Sequence, residues 1–201
     1  MRFILASESP RRALQLKSIG VDFSAQASGV EEQNDGFYKP NIPFINAIAK
    51  AEAVAEKNPD ALVLGADTVI EFEGEILGKP KSMDDAVNML LKLSGKSHIA
   101  VSAVCLKNIS NSMSCVFGDE TKVVFRNFNR ETAMKYARLT NPLDKAGSYA
   151  IQEHGDMIVE SIDGSLENVI GLPLEKVKES LYALGFGNFI RKRSPSENWR
   201  S

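Results

Sequence analysis

The sequence predicts a mixed α/β fold, a twisted sheet with flanking helices forming two lobes around a central cleft. Three observations point to it. Apolar runs of strand length alternate with segments of helical periodicity along the chain. A helix and a long hairpin in the middle of the chain supply a second lobe. Polar residues gather at the carboxyl ends of two apolar strands, which is where open α/β sheets bind ligands.

The elements follow in order. Phe3 to Ala6 reads as a strand running into a helix from Pro10 to Ile19. Ser9 caps that helix, Pro10 suits its first position and Gly20 ends it. A short strand near Phe23 leads into a polar loop, "GVEEQNDGFYKPN". A second helix runs from about Pro43 to Lys57, before Pro59. Its apolar residues Phe44, Ile45, Ile48, Ala51 and Ala55 place Lys50 on the opposite, solvent side. "ALVLGADTVIEF" reads as a buried strand and "EFEGEI" as a hairpin turn. In "KSMDDAVNMLLKLSG", Ser82 and Asp85 form a capping box and Gly95 closes the helix. "HIAVSAVCLKN" and "SCVFGDETKVVF" form a long hairpin around "NISNS". "NRETAMKYARL" is helical, and "GSYAIQEHGDMIVESIDGS" predicts two strands. "GLPLEKVKESLYALG" is the last helix. One domain is expected over residues 1–186, followed by a basic, poorly ordered tail over 187–201.

Composition narrows the function. Apolar residues make up 43% and charged residues 25%, the balance of a soluble globular protein. No apolar run approaches the roughly 18 residues of a membrane span, and the apolar start is too short for a secretory signal. A cytoplasmic protein without membrane partners is expected. The net charge of −2 gives no global footprint for nucleic acid, so any anion site must be a local cluster. Cys105 and Cys115 read as buried thiols, although both fall in the hairpin and a cross-strand bridge is conceivable. His98 and His154 belong to no ligand-spaced cluster, which argues against a His/Cys metal centre.

The first strand end, "SESPRR", poses an electrostatic problem. Arg11 and Arg12 stand at the positive end of a helix dipole, where each cation costs about 0.3–1 kcal/mol. An anion seated on the free N–H groups there reverses the argument. A charge-assisted bond returns about 1.5–3 kcal/mol, so two arginines on a phosphate outweigh the dipole cost. The second strand end, "GADT", puts Asp67 inside an apolar strand, with Gly65 and Ala66 leaving room for close approach. If the two strands are parallel neighbours, Arg11, Arg12 and Asp67 open on one crevice. Lys79 follows a strand and precedes a helix, a position from which it can face a ligand. Glu31 and Glu32 lie in the polar loop.

Together these strings resemble the Maf family of nucleoside triphosphate pyrophosphatases. The likeness runs from Phe3 to Leu184 through "LASESPRR", "GVEEQ", "AKAEA", "LGADTVI", "LGKP", "AVNMLLKLSGKSH", "DKAGSYAIQ" and "NVIGLPL". It implies a two-lobed fold, usually a homodimer, that cleaves a nucleoside triphosphate to monophosphate and pyrophosphate with Mg²⁺ or Mn²⁺. By the same likeness Ser7, Ser9, Arg11 and Arg12 hold phosphates; Glu32 and Asp67 can supply the one or two carboxylates that the metal needs beside phosphate oxygens. Asp67 is the proposed general base. Lys50 and Lys79 join the catalytic set, which moves Lys50 from solvent to the cleft. Arg11, Thr68 and Gln152 match the branch acting on dTTP and UTP; the branch resembling 7-methyl-GTP pyrophosphatases carries "SDQ" in place of "ADT". "EHGDMIVESIDGSLEN" holds more acids than relatives usually show there. Two alternatives stay open: a pyrophosphatase for modified nucleotides (methylated UTP or CTP, or 7-methyl-GTP), and a non-catalytic nucleotide-binding regulator of cell division.

Overall fold

A computed structural model describes residues 1–33 and 39–190 of the chain. Seven strands form one sheet: β1 (Phe3–Leu5), β2 (Ser24–Ala25), β3 (Leu62–Phe72), β4 (Glu75–Leu77), β5 (Ser97–Asn108), β6 (Met113–Phe125) and β7 (Val159–Asp163). Their order is β2-β1-β3-β5-β6-β7, with β4 paired to β3. β1 lies parallel to β2 and β3, and the other pairings are antiparallel. The helices are α1 (Pro10–Ser18), α2 (Ile42–Ala55), α3 (Met83–Leu93), α4 (Arg130–Leu139), α5 (Leu166–Ile170) and α6 (Leu174–Ala183).

The long strands β3, β5 and β6 serve two packed bodies. At one end the sheet is covered on both faces. Ala47, Ala51 and Val54 of α2 pack on Ile4, Val63 and Ala103. On the opposite face Leu16 of α1 and Val177 and Leu181 of α6 meet Phe3, Leu5, Leu62, Leu64 and Leu106. Leu62, Val63 and Leu64 alternate between these clusters, as the period of two requires. At the other end α3 and α4 bury Leu90, Leu93, Ala133 and Tyr136 against Ile70, Phe72, Val123 and Phe125. Asp67 lies on β3 between the two bodies.

Local signals explain most boundaries. The Ser9 hydroxyl accepts from the Arg12 N–H and caps α1. The Ser82 hydroxyl accepts from the Asp85 N–H at 3.1 Å, while the Asp85 carboxylate reaches back to the Lys81 N–H at 2.8 Å. Asn129 caps α4 through the Thr132 N–H. The two cysteines are free. Cys115 faces Leu106 in the hairpin register and Cys105 faces Val116, so the thiols point to opposite faces and no bridge can form between them.

Three expectations change. "GSYAIQ" is not a strand but a run of short 3-10 turns, so β7 is the one strand of its region. The main-chain groups there find side-chain partners instead of a ladder: the Tyr136 hydroxyl donates to the Ala150 carbonyl at 2.9 Å and accepts from its N–H at 3.0 Å. Lys50 is buried at 5% exposure, whereas Ile45 is 43% exposed. The buried face of α2 is therefore centred on its alanines, because the helix sits too close to β3 for larger side chains. Finally, the fold continues past Phe186. Gly187–Phe189 form a 3-10 turn, Phe189 packs edge-on against Phe3 at 5.4 Å, and Ile190 bridges to Val21. The remainder of the tail, 191–201, lies outside the described residues, as do 34–38 of the polar loop.

The close approach of α2 depends on Gly65. A Cβ there would stand 2.4 Å from the Ala47 carbonyl oxygen and 2.6 Å from the Ala51 nitrogen, both main-chain atoms. Gly65→Ala is expected to lower stability by about 2–3 kcal/mol through overpacking. It should appear as a lower denaturant midpoint at unchanged slope, and an unchanged midpoint would contradict the packing account.

His98 carries a pH prediction. It is 2% exposed, its Nε2 lies 2.7 Å from the Tyr149 hydroxyl, and its Nδ1 is buried without a partner. Burial pushes its pKa down to about 4. The unfolded chain binds this proton near pH 6.5 and the folded chain near 4. The His98 contribution is therefore complete above pH 6.5 and declines as pH falls toward 4, by about 3 kcal/mol in all. Urea midpoints across pH 4 to 7 should fall less steeply for His98→Gln than for the parent; parallel curves would refute the assignment.

Candidate active site

The floor of the cleft is built around one ammonium. Asp67, 3% exposed, accepts on Oδ1 from Lys50 Nζ at 2.7 Å and on Oδ2 from Asn46 Nδ2 at 2.8 Å. Lys50 Nζ also donates to the Ala66 carbonyl at 3.3 Å and forms an ion pair with Glu32 Oε1. Asn46 and Lys50 stand four residues apart on α2 and so share a face. Asn46 then pins the polar loop: its Oδ1 accepts from the Gln33 N–H and its Nδ2 donates to the Gln33 carbonyl, both at 3.1 Å. The loop is held where Glu32 meets Lys50. Two carboxylates thus share one ammonium, a net charge of −1 with all three ionised.

Arg12 forms one wall. Its Nε donates to the Gly171 carbonyl at 3.0 Å, its Nη2 to Thr68 Oγ1 at 3.0 Å and its Nη1 to Ser7 Oγ at 3.4 Å. Gly171 takes φ +143°, which favours glycine, and this conformation turns its carbonyl to Arg12. Burial pushes the Arg12 guanidinium down from its ordinary value. The charges of Asp67 and Glu32 oppose that shift, and neighbouring Arg11 adds to it.

The cleft above has a volume of about 420 Å³. It gathers all the residues expected from the sequence: Ser7, Ser9, Arg11, Arg12, Glu32, Lys50, Asp67, Thr68, Lys79 and Gln152. Ser9 combines its capping role with a place on the cleft wall. Lys79 and Gln152 are exposed at the rim. The parallel pairing of β1 with β3 is what brings "SESPRR" and "GADT" to one crevice.

Sequence reasoning missed several members. Asn46 could have been found from its spacing to Lys50 once Lys50 was placed in the cleft. Lys145, in "DKAGSYAIQ", also lines the cleft at 3% exposure, with Nζ on the Asn141 carbonyl and 2.8 Å from Asp144 Oδ1. Desolvation raises the Asp144 pKa, but the hydrogen bond and charge of Lys145, with a further contribution from Arg11, hold it below the ordinary value. Tyr149, Ile151, Val169 and Ile170 supply an apolar side to the same cleft. Gly65 was expected to leave room for close approach, and what approaches is α2.

Among the described residues no cluster of three or more His, Cys, Asp or Glu stands at metal-ligand spacing. Glu32 and Asp67 both meet the Lys50 ammonium, however, which brings their carboxylates together, and Mg²⁺ needs only one or two carboxylates beside phosphate oxygens and water. The donor set fits a hard divalent cation bound together with an anionic substrate.

Removing the shared ammonium exposes what it offsets. Lys50→Met should cost about 3 kcal/mol by leaving the buried Asp67 carboxylate uncompensated. Adding Asp67→Asn should recover part of that loss. Strictly additive losses in the denaturant midpoints would show that the pair is not coupled.

The family model described as Maf-like protein matches residues 2–184. A dTTP/UTP pyrophosphatase of Akkermansia muciniphila is 42% identical over 184 residues, covering 91% of this chain and 96% of that one. The protein of the same name from Aquifex aeolicus is 42% identical over 188 residues, covering 92% and 96%. That of Dictyoglomus thermophilum is 40% identical over 185 residues, covering 91% and 96%. Among solved structures, the Ham1 protein of Staphylococcus aureus superposes with a TM-score of 0.53 at 16% identity, covering 92% of this chain and 100% of that one. This last likeness is one of fold. With the match running from the first strand to the end of the last helix, the chain belongs to the Maf family.

Proposed function

We propose that the protein hydrolyses the α,β-phosphoanhydride of dTTP and UTP, releasing the nucleoside monophosphate and pyrophosphate. The observation that carries this reading is the Lys50 ammonium held between Glu32 and Asp67 beneath a cleft walled by cationic side chains. Relatives at about 40% identity named dTTP/UTP pyrophosphatase support the substrate class.

The residue types suit the chemistry. A triphosphate entering the cleft meets Arg11, Arg12 and Lys79. The arginines can clamp phosphate oxygens in a bidentate manner, while lysine offers a point charge. Asp67, oriented by Lys50 and Asn46, accepts a proton from the attacking water. The water oxygen bonds to one phosphorus of the α,β-anhydride, the bridging P–O bond breaks, and the electron pair stays on the bridging oxygen of the other fragment, so that nucleoside monophosphate and pyrophosphate result. Glu32 and Asp67 would hold Mg²⁺ or Mn²⁺, which supplies charge neutralisation on the phosphates. The apolar wall of Tyr149, Ile151, Val169 and Ile170 suits a planar base, with Gln152 offering both a donor and an acceptor to its edge. One methyl alters binding by only about 1–3 kcal/mol, which is why both dTTP and UTP are assigned. Family membership supports action as a homodimer in the cytoplasm.

Asp67→Asn preserves the acceptor for Lys50 and removes the base. It should lower pyrophosphate release by about 10²–10⁴-fold, with nucleotide affinity little changed. The test is turnover of dTTP, UTP and their methylated analogues, and of 7-methyl-GTP, beside equilibrium binding. Near-native turnover by the variant removes Asp67 from the base role. A preference for methylated nucleotides would replace the substrate assignment.

A further inference from the structure

Arg12 is held on the α1 face of the sheet by a one-way chain of hydrogen bonds. Ser102 lies on β5, paired in register with Thr68 of β3, and is fully buried. Its hydroxyl lies 2.8 Å from the main-chain carbonyl of Asn168 and 2.8 Å from Thr68 Oγ1. A carbonyl only accepts, so the single Ser102 proton goes to Asn168. Thr68 must then donate its own proton to Ser102. That leaves the Thr68 oxygen lone pairs for Arg12 Nη2 at 3.0 Å. The direction of every bond follows from the end fixed at Asn168.

The far end is itself clamped. The Asn168 side chain, fully buried, donates to the Ala100 carbonyl and to Thr121 Oγ1, both at 3.0 Å. Ser165 caps α5 by accepting the Asn168 N–H at 3.1 Å. Three residues on, the Gly171 carbonyl accepts Arg12 Nε. The "NVIG" string thus supplies both the acceptor that orients Ser102 and the acceptor that holds Nε. The Nε–H and one Nη2–H lie along the same edge of a guanidinium. Gly171 and Thr68 together consume that edge; Nη1 also meets Ser7 Oγ at 3.4 Å on the cleft wall, and the remaining hydrogens of the two Nη groups are left for a ligand.

We propose that Ser102 is a positioning residue for Arg12, acting through Thr68 to present the Nη edge of the guanidinium to the polyphosphate. This rests on the pyrophosphatase reading for the identity of the ligand. Without the Ser102 hydroxyl, the Thr68 proton turns to the Gly171 carbonyl 3.4 Å away. It then competes with Arg12 Nε for that oxygen, and the guanidinium loses its fixed edge.

The test uses the full chain and inorganic pyrophosphate as the binding probe, measured by calorimetry, with steady-state kinetics on UTP beside it. Ser102→Ala should weaken pyrophosphate binding by about ten-fold and raise KM similarly, the loss expected for a misaligned charge-assisted contact. kcat should stay within about two-fold, because Asp67 is untouched. Thr68→Val, which removes the Arg12 acceptor itself, should weaken pyrophosphate binding and raise KM at least as much. The double variant should show no further loss, since both changes cut one chain. Unchanged pyrophosphate binding by Ser102→Ala, or losses that multiply in the double variant, would overturn the proposal. If Ser102→Ala does not fold, Ser102→Cys replaces it with the same expectations, because its thiol is only a weak donor. A parent chain that binds pyrophosphate yet cleaves no triphosphate would sink the activity reading while the binding comparison still judges the chain of bonds. A parent chain that binds no pyrophosphate would overturn both.

Discussion

The site depends on one buried ammonium placed between two carboxylates. Desolvating three charges is unfavourable, and their mutual attraction offsets it only where geometry is fixed. The fold fixes it from several sides. Gly65 lets α2 sink onto β3, the small side chains of Ala47 and Ala51 keep it there, and Lys50 consequently reaches the Asp67 carboxylate instead of solvent. Asn46 completes the arrangement by tying both Asp67 and the Glu32-bearing loop to the same helix face. The missing side chain at residue 65 and the amide at residue 46 therefore bear on the same carboxylate.

The arginines at the start of α1 show how a local penalty becomes a tertiary device. The dipole argument makes a cation in the first helical turn unfavourable. Arg12 answers it by reaching the Gly171 carbonyl and Thr68 rather than lying along its own helix. The same contacts tie α1 to the segment after α5. Lys145, buried on the other side of the cleft among Asp144 and the Asn141 carbonyl, brings a further positive charge toward the same space.

Much of this architecture was legible in the sequence because the signals are local. Caps at Ser9 and Ser82, the apolar run of β3, and the long hairpin of β5 and β6 each rest on neighbouring residues. The gathering of Arg12 and Asp67 followed from the parallel pairing of β1 with β3, although "GADT" is no strand end: β3 runs on to Phe72 and Asp67 lies mid-strand. What was hidden depends on distance between elements. Helical periodicity placed Lys50 in solvent because it weighs apolarity, whereas helix-to-sheet spacing selects small residues for the buried face of α2. "GSYAIQ" has the composition of a strand, but the Tyr136 hydroxyl takes over both main-chain groups of Ala150. Ser102 carries no sequence mark at all; its importance appears only when Thr68, Asn168 and Arg12 are seen on one path.

The central claim is that this cluster directs water to the bond between the first and second phosphates. Phosphorus NMR of UTP incubated with the protein and Mg²⁺ tests it most directly. The account predicts that uridine monophosphate and pyrophosphate accumulate in equal amounts while orthophosphate stays at background. Uridine diphosphate appearing with orthophosphate would contradict it, because the cleft would then be cutting the terminal phosphate.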